Sequence, residues 1–328
     1  MHTRVLSRID VEKILTIQDT LTSVREAYMM FNQGKVVQPP IMSIDVPEYN
    51  GEVDIKAGYS PNKEIISVKT AGGFWNNPKQ YNLPTGLAVI SLYDAKSGFP
   101  VCIMDGTLIT EYRTGAAGGV SAEVLARQDS SVVGVIGAGR QAQMQVVALK
   151  EILPIQTVKV WSRLKEQAIF YKKIMEELLG IEVLPCSSAE KAVVDSHIVV
   201  TTTPSKKPIV MNKWIKPGTH IIAMGADMQG KQELEEAIFT RAKIVVDSLQ
   251  ECIKRGETQN PIKLELIEKS DIHAEIGEIL LGRKAGRVND DEVTIFDSTG
   301  MSIQDITTAY MVYKKATERE IGSKIRLI

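Results

Sequence analysis

The stretch Val132-Val133-Gly134-Val135-Ile136-Gly137-Ala138-Gly139-Arg140-Gln141-Ala142 constrains this chain more than any other. An apolar run without polar alternation belongs to a strand buried on both faces, and such a strand needs helices on either side of its sheet. Gly137 to Ala142 spell the GxGxxA form of a dinucleotide turn. Gly137 permits the tight turn, and Gly139 lets backbone approach a pyrophosphate. Ala142 is small enough for the next helix to lie on the sheet, with that helix's N-terminus facing the anion. Further Val- and Ile-rich runs follow: VKVWS (158–162), EVLPC (182–186), HIVVTTT (197–203), THIIAMG (219–225) and KIVVDS (243–248). Helical or polar stretches separate them, so parallel βαβ units and a Rossmann-like doubly wound sheet are predicted.

The flanking sequence has a different texture. Asp10 to Gly34 reads as one helix, with Asp10 as cap and Gly34 as stop. Short β-rich runs at 65–71, 86–94 and 99–105, punctuated by PP, GG, NNP and SG turns, predict a small and mostly antiparallel sheet. A long helix opens at Asp105-Gly106-Thr107 and runs through Ala126. The final helix, Ile303 to Glu318, carries Ile306, Ala309, Tyr310 and Tyr313 on one face. The expected class is α/β: a Rossmann-like domain, 126–301, inserted in a split α+β domain, 1–125 plus 302–328. The length of 328 residues suits about two domains.

Composition narrows the function. Lys and Arg number 39 against 40 Asp and Glu, and phosphate backbones normally demand a basic surplus, so no nucleic-acid partner is expected. No run reaches the ~18 apolar residues of a membrane span, and charge appears too early in MHTRVLSRIDVEKIL for a secretory leader. Cys102, Cys186 and Cys252 are far apart, and the four histidines lack zinc spacing, so no metal site is expected. A cytoplasmic protein is the reading that remains.

An acid near the end of the second strand, about 20 residues past the turn, usually meets the ribose of NAD. Here the strand ends Val160-Trp161-Ser162-Arg163. Ser162 and Arg163 suit a 2′-phosphate, so NAD or NADP is expected, with NADP favoured. Lys69 lies on a β-branched strand before Ala71-Gly72-Gly73. Thr110, Arg113 and Thr114 share a helical face by i, i+3, i+4 spacing, and Arg113 can grip a carboxylate bidentately. The GAAGG that follows is small enough for close approach of another element.

These stretches, KTAGGFWNNP from Lys69, LPTGLAVISLYDAKSGFPVCIMDGTLITEYRTGAA from Leu83, VIGAGRQAQMQ from Val135, MGADMQGKQEL from Met224 and TIFDSTGMSIQD from Thr294, resemble the ornithine cyclodeaminase/mu-crystallin family, which includes archaeal-type alanine dehydrogenases. The resemblance implies a homodimer and hydride exchange at an amino-acid Cα, forming or reducing an imine. It implies that Lys69 lies near the substrate carboxylate and imine, that Arg113 binds the carboxylate, and that Thr114 contacts cofactor phosphate. Arg140 and Gln141 belong to the cofactor turn. Asp227 would do acid/base work, and Ser298 to Gly300, after the family-like Asp297, would lie near the nicotinamide.

One departure matters. Where the family carries a further carboxylate-binding arginine, Val37-Gln38-Pro39-Pro40 is followed here by Ile41. Asp54 and Lys56 alternate onto one strand face. Lys56 is expected to supply the missing cation, and Asp54 to contact a substrate amine. The residues favour an amino-acid dehydrogenase or ketimine reductase. An ornithine cyclodeaminase recycling NAD, and a non-catalytic binding protein of mu-crystallin type, are the alternatives.

Overall fold

The computed structural model describes residues 1–327. The chain divides into two compact units, one formed by Met1–Arg113 and the segment from Met301 onward, the other by Thr114–Gly300. The division falls inside the helix Thr107–Leu125, not at its end, where the sequence reading puts it. The helix start is tied to the first unit, because Asp105 Oδ2 accepts from the Leu108 N–H at 2.8 Å and Thr107 Oγ1 from the Ala88 N–H at 2.9 Å. The later turns pack within the second unit. A Cβ on Gly115 would lie 2.5 Å from the Met144 carbonyl oxygen, and one on Gly118 would overlap the Gln145 side chain. The small GAAGG residues therefore serve helix-on-helix approach.

The first unit is built on β1 (Thr3–Leu6), β2 (Met42–Val46), β3 (Gly51–Ser60), β4 (Ile65–Phe74), β5 (Gly86–Asp94) and β6 (Pro100–Asp105). With the C-terminal strand Ser323–Ile325 they form a seven-stranded sheet, ordered C-terminal strand, β1, β6, β5, β4, β3, β2. Pairing is antiparallel except between β1 and β6. The three strands expected at 65–71, 86–94 and 99–105 are β4, β5 and β6. Register sets Lys56 opposite Lys69, and Lys69 opposite Ile90. Opposed residues point to the same face, so these side chains enter one layer, packed under the helix Ser302–Glu318, on which the helix Ile17–Asn32 lies in turn.

The N-terminal helix differs from expectation. It is two helices, Arg8–Glu12 and Ile17–Asn32. Ser7 caps the first, with Asp10 completing a capping box, and Thr16 caps the second. Two Ser/Thr caps nine residues apart end and restart the ladder inside a periodic apolar pattern. On the final helix the fully buried stripe is Ile306, Ala309, Val312 and Ala316, while Tyr310 and Tyr313 sit at its margin.

The second unit runs β7 (Val132–Ile136), β8 (Thr157–Trp161), β9 (Glu182–Pro185), β10 (Ile198–Thr201), β11 (Lys206–Val210), β12 (His220–Ala223), β13 (Gln232–Leu234), β14 (Ala242–Val246), β15 (Ile272–Glu275) and β16 (Val293–Asp297). Eight strands form a wholly parallel sheet in the order β15-β14-β16-β12-β10-β7-β8-β9. The order reverses between β7 and β10, the switch point at which open α/β sheets take ligands beyond the strand C-termini. β11 and β13 make a separate parallel pair that the sequence reading did not anticipate. Among the described residues, no helix is long and apolar enough to cross a membrane. Nor is any group of three or more His, Cys, Asp or Glu arranged to hold a metal ion.

Candidate active site

In the first unit, β4 delivers Lys69 into the buried layer, where it is 1% exposed. Its Nζ lies 2.7 Å from Asp305 Oδ2 and 3.4 Å from Thr110 Oγ1. Arg113 Nε lies 3.2 Å from Asp305 Oδ1, and Arg113 Nη1 donates to Gln304 Oε1 at 3.4 Å. One carboxylate thus bridges two cations. Gln304 is fixed in turn, since its Oε1 accepts from the Met301 N–H and its Nε2 donates to the Tyr28 hydroxyl, both at 2.8 Å. Among the described residues, Arg113 Nη2 has no acceptor. A guanidinium so anchored on Nε and Nη1 presents its remaining edge to an anion.

Charge in this cage is finely balanced. Burial pulls the Lys69 ammonium down to about 7; the Asp305 carboxylate opposes that shift, while Arg113 and Lys56 add to it. Burial also pushes Asp305 up, but Lys69 and Arg113 hold it below the usual carboxylate range. Lys56, on β3 opposite Lys69, acts on both groups. Asp54 is half-buried on the face that carries Lys56, and Ser43 Oγ donates to its Oδ1 at 2.6 Å. Ile41 lies just before β2. Lys69, Arg113 and Lys56 therefore come together, with Asp54 further along the same strand face.

In the second unit the GxGxxA turn leaves β7 at the switch point. Gly137 has φ +106°, a conformation that disfavours a side chain, and a Cβ there would meet Thr202 Oγ1 at 2.8 Å. A Cβ on Gly139 would meet open space. Gly139 caps the helix Arg140–Ile152 without a side-chain hydrogen bond, so the first helical N–H groups remain for an anion. Ala142, in the first turn of that helix, is fully buried, Gln141 is half-buried, and Arg140 donates to Gln143 Oε1 at 3.1 Å. Thr114 offers its carbonyl to Gln145 Nε2 at 2.8 Å. The open turn and unsatisfied helix start fit a dinucleotide pyrophosphate. At the end of β8, Ser162 donates to Gln167 Oε1 at 2.8 Å and Arg163 is exposed.

Asp227 follows β12 on a loop, half-exposed, with Lys231 Nζ 2.6 Å from its Oδ1. Asp297 ends β16 fully buried, accepting from the N–H groups of Glu257 and Thr258 at 3.1 and 2.9 Å and from Thr258 Oγ1 at 3.0 Å. Burial pushes its carboxyl up to about 7. It is a structural anchor for the 256–258 loop, and Gly256 leaves room for it, because a Cβ would lie 2.5 Å from Asp297 Oδ2. Asp247 fixes the Ser298–Gly300 turn, accepting from Ser298 Oγ at 2.7 Å and the Gly300 N–H at 2.8 Å.

Sequence reasoning missed Gln304 and Asp305. The available signal was a carboxylate on the stripe of Ala309, Val312 and Ala316, since position 305 lies one helical turn before 309. Buried Glu233 was also missed. It ties the ends of β10 and β12 by accepting from the Thr203 and Gly225 N–H groups at 2.6 and 3.0 Å.

A doubly wound parallel sheet with a glycine turn at its switch point defines a Rossmann-type dinucleotide-binding protein, here joined to a unit with a buried cationic cage. Residues 1–320 match the ornithine cyclodeaminase/mu-crystallin family, and the chain belongs to it. The chain is 38% identical to the alanine dehydrogenase of Archaeoglobus fulgidus, over 99% of both sequences. It superposes with TM-score 0.94 on an archaeal alanine dehydrogenase dimer with bound NAD, at 38% identity and full coverage of both chains. With the Thermococcus litoralis Delta(1)-pyrroline-2-carboxylate reductase in complex with NADH and L-proline, the TM-score is 0.95 at 36% identity, covering 98% of this chain and 99% of the other.

Proposed function

We propose that this protein is an NAD(P)-dependent oxidoreductase that exchanges hydride at the Cα of a small amino acid or its imine. The observation that carries this reading is the Lys69–Asp305–Arg113 cage, which leaves Arg113 Nη2 for a carboxylate. Arg113 and Lys69, with Lys56 in place of the cation missing at Ile41, grip the substrate carboxylate and restrict the Cα to one orientation. Asp227 takes and returns the proton of the amine or of an attacking water. Gly137, Gly139, Arg140, Gln141, Ala142, Thr114, Ser298 and Gly300 would hold a nicotinamide cofactor, which would supply hydride exchange when bound. Ser162 and Arg163, with no acid beside them at the strand end, favour NADP.

The same reading includes a homodimer. The face of the first unit's sheet opposite Lys69 exposes Met42, Ile44, Leu87 and Val89, an apolar patch of the kind that marks an interface. The free buried thiols of Cys102 and Cys252 suit a reducing cytoplasm.

Ornithine cyclodeaminase chemistry is the second reading, favoured by Asp54 on the Lys56 face, where it could hold a distal amine. Incubation with an amino-acid panel and either cofactor separates the outcomes. Ammonia with accumulating reduced cofactor marks a dehydrogenase, and ammonia alone marks a cyclodeaminase. Consumption of reduced cofactor with cyclic ketimines marks an imine reductase. Absence of all three signals would leave a binding protein and sink the proposal. A Lys56→Ala enzyme with unchanged substrate affinity removes Lys56 from the cage.

A further inference from the structure

We propose that Asp305 is the positioning residue of the substrate cage, acting through Lys69 and Arg113 and not on the substrate itself. The proposal rests on the reading that those two cations handle the substrate. Both carboxylate oxygens are committed, Oδ2 to Lys69 Nζ and Oδ1 to Arg113 Nε, and among the described residues neither takes another partner. A buried charge triad of this kind is a poor choice for packing alone, because replacing all its members together by well-packed apolar residues is often neutral or stabilising.

The charges facing Lys69 show what Asp305 supplies. Lys56 comes from β3, Arg113 from the helix Thr107–Leu125 and Asp305 from the final helix. β5 sets the apolar Ile90 opposite Lys69, and the helix Thr107–Leu125 adds the neutral Thr110, its Oγ1 3.4 Å from Lys69 Nζ. Asp305 is thus the one anion among these neighbours, set against two cations that weaken Lys69's hold on its proton. Gln304, the preceding residue, shares only the Arg113 half of the task. Removing the Asp305 carboxylate should loosen the Lys69 proton, whereas truncating Gln304 should disturb Arg113 alone.

The test is the pH dependence of kcat/KM in wild type, Asp305→Asn, Asp305→Glu, Gln304→Ala and Lys69→Met. The limb that disappears in Lys69→Met reports Lys69. In Asp305→Asn that limb moves to lower pH, by about one to three units for loss of an adjacent opposite charge. The direction is the same whether the reaction needs Lys69 protonated or neutral. In Gln304→Ala the limb stays in place while KM for the carboxylate substrate rises. Asp305→Glu keeps the charge but displaces it, so kcat/KM falls with the limb unmoved. An unmoved limb in Asp305→Asn beside a lower Tm means packing only and overturns the proposal. If Asp305→Asn does not fold, wild-type kcat/KM in Asp305→Glu overturns it instead. A Lys69→Met enzyme with the wild-type profile refutes the reading of the site itself, and Asp305 with it.

Discussion

At the scale of single residues, the molecule stores ionisable groups where water cannot reach them. Lys69 is the clearest case, and Lys69→Met should lower kcat/KM by about 10²–10⁴ if it handles a proton as well as the carboxylate. Expression and secondary structure by circular dichroism should be retained, because an apolar chain of similar length fills the same space. The buried acids shape stability. Burial raises Asp297 to about 7 and raises Glu233 and Glu257 as well. Their folded forms bind protons that the unfolded chain releases near pH 4, so the stability they contribute is full at low pH and, for Asp297 and Glu233, is lost as pH rises to about 7. Tm should therefore fall between pH 5 and 7, and Asp297→Asn should flatten the slope. A Tm that rises across that range contradicts the assignment.

At the scale of elements, close approach between helices decides which residues are tolerated. Gly115 and Gly118 lie against the helix Arg140–Ile152, with a Cβ on Gly115 only 2.5 Å from a backbone carbonyl that cannot rotate away. Gly115→Val should destabilise by at least about 1–3 kcal/mol, seen as a lower urea midpoint. Cofactor affinity should fall with it, because the displaced helix is the one whose N-terminus is proposed to receive the pyrophosphate. Gly98, at the tip of a hairpin with φ +70° and nothing near its Cβ, makes the contrasting case. There Gly98→Asn should leave cofactor affinity untouched, since only backbone conformation is at stake and Asn accepts it.

At the scale of the whole molecule, the sheet of the first unit has one face filled by helices and one face that remains apolar and exposed. Val89 is 50% exposed and Met42 60%. If that face joins two copies, Val89→Asp should convert the dimer to a monomer in sedimentation velocity, because an isologous interface receives the new charge twice. A dimer undisturbed by that change would move the interface elsewhere.

The amino-acid sequence alone was enough for the Rossmann-like sheet, the glycine turn and the β4–β5–β6 hairpins, because their signals are local: apolar periodicity, turn residues and a fixed spacing. It also supplied Lys69 and Arg113 as candidates. The two N-terminal helices were hidden, since their caps interrupt an apolar period that runs on without a visible break. β16 was hidden too. It pairs with β12, more than 70 residues away. Asp305 was decided only by tertiary structure. Its role depends on a strand, a helix start and a helix separated by 236 residues of chain from Lys69 to Asp305, and charge pairing over that span depends on where the backbone folds, not on any spacing the sequence displays.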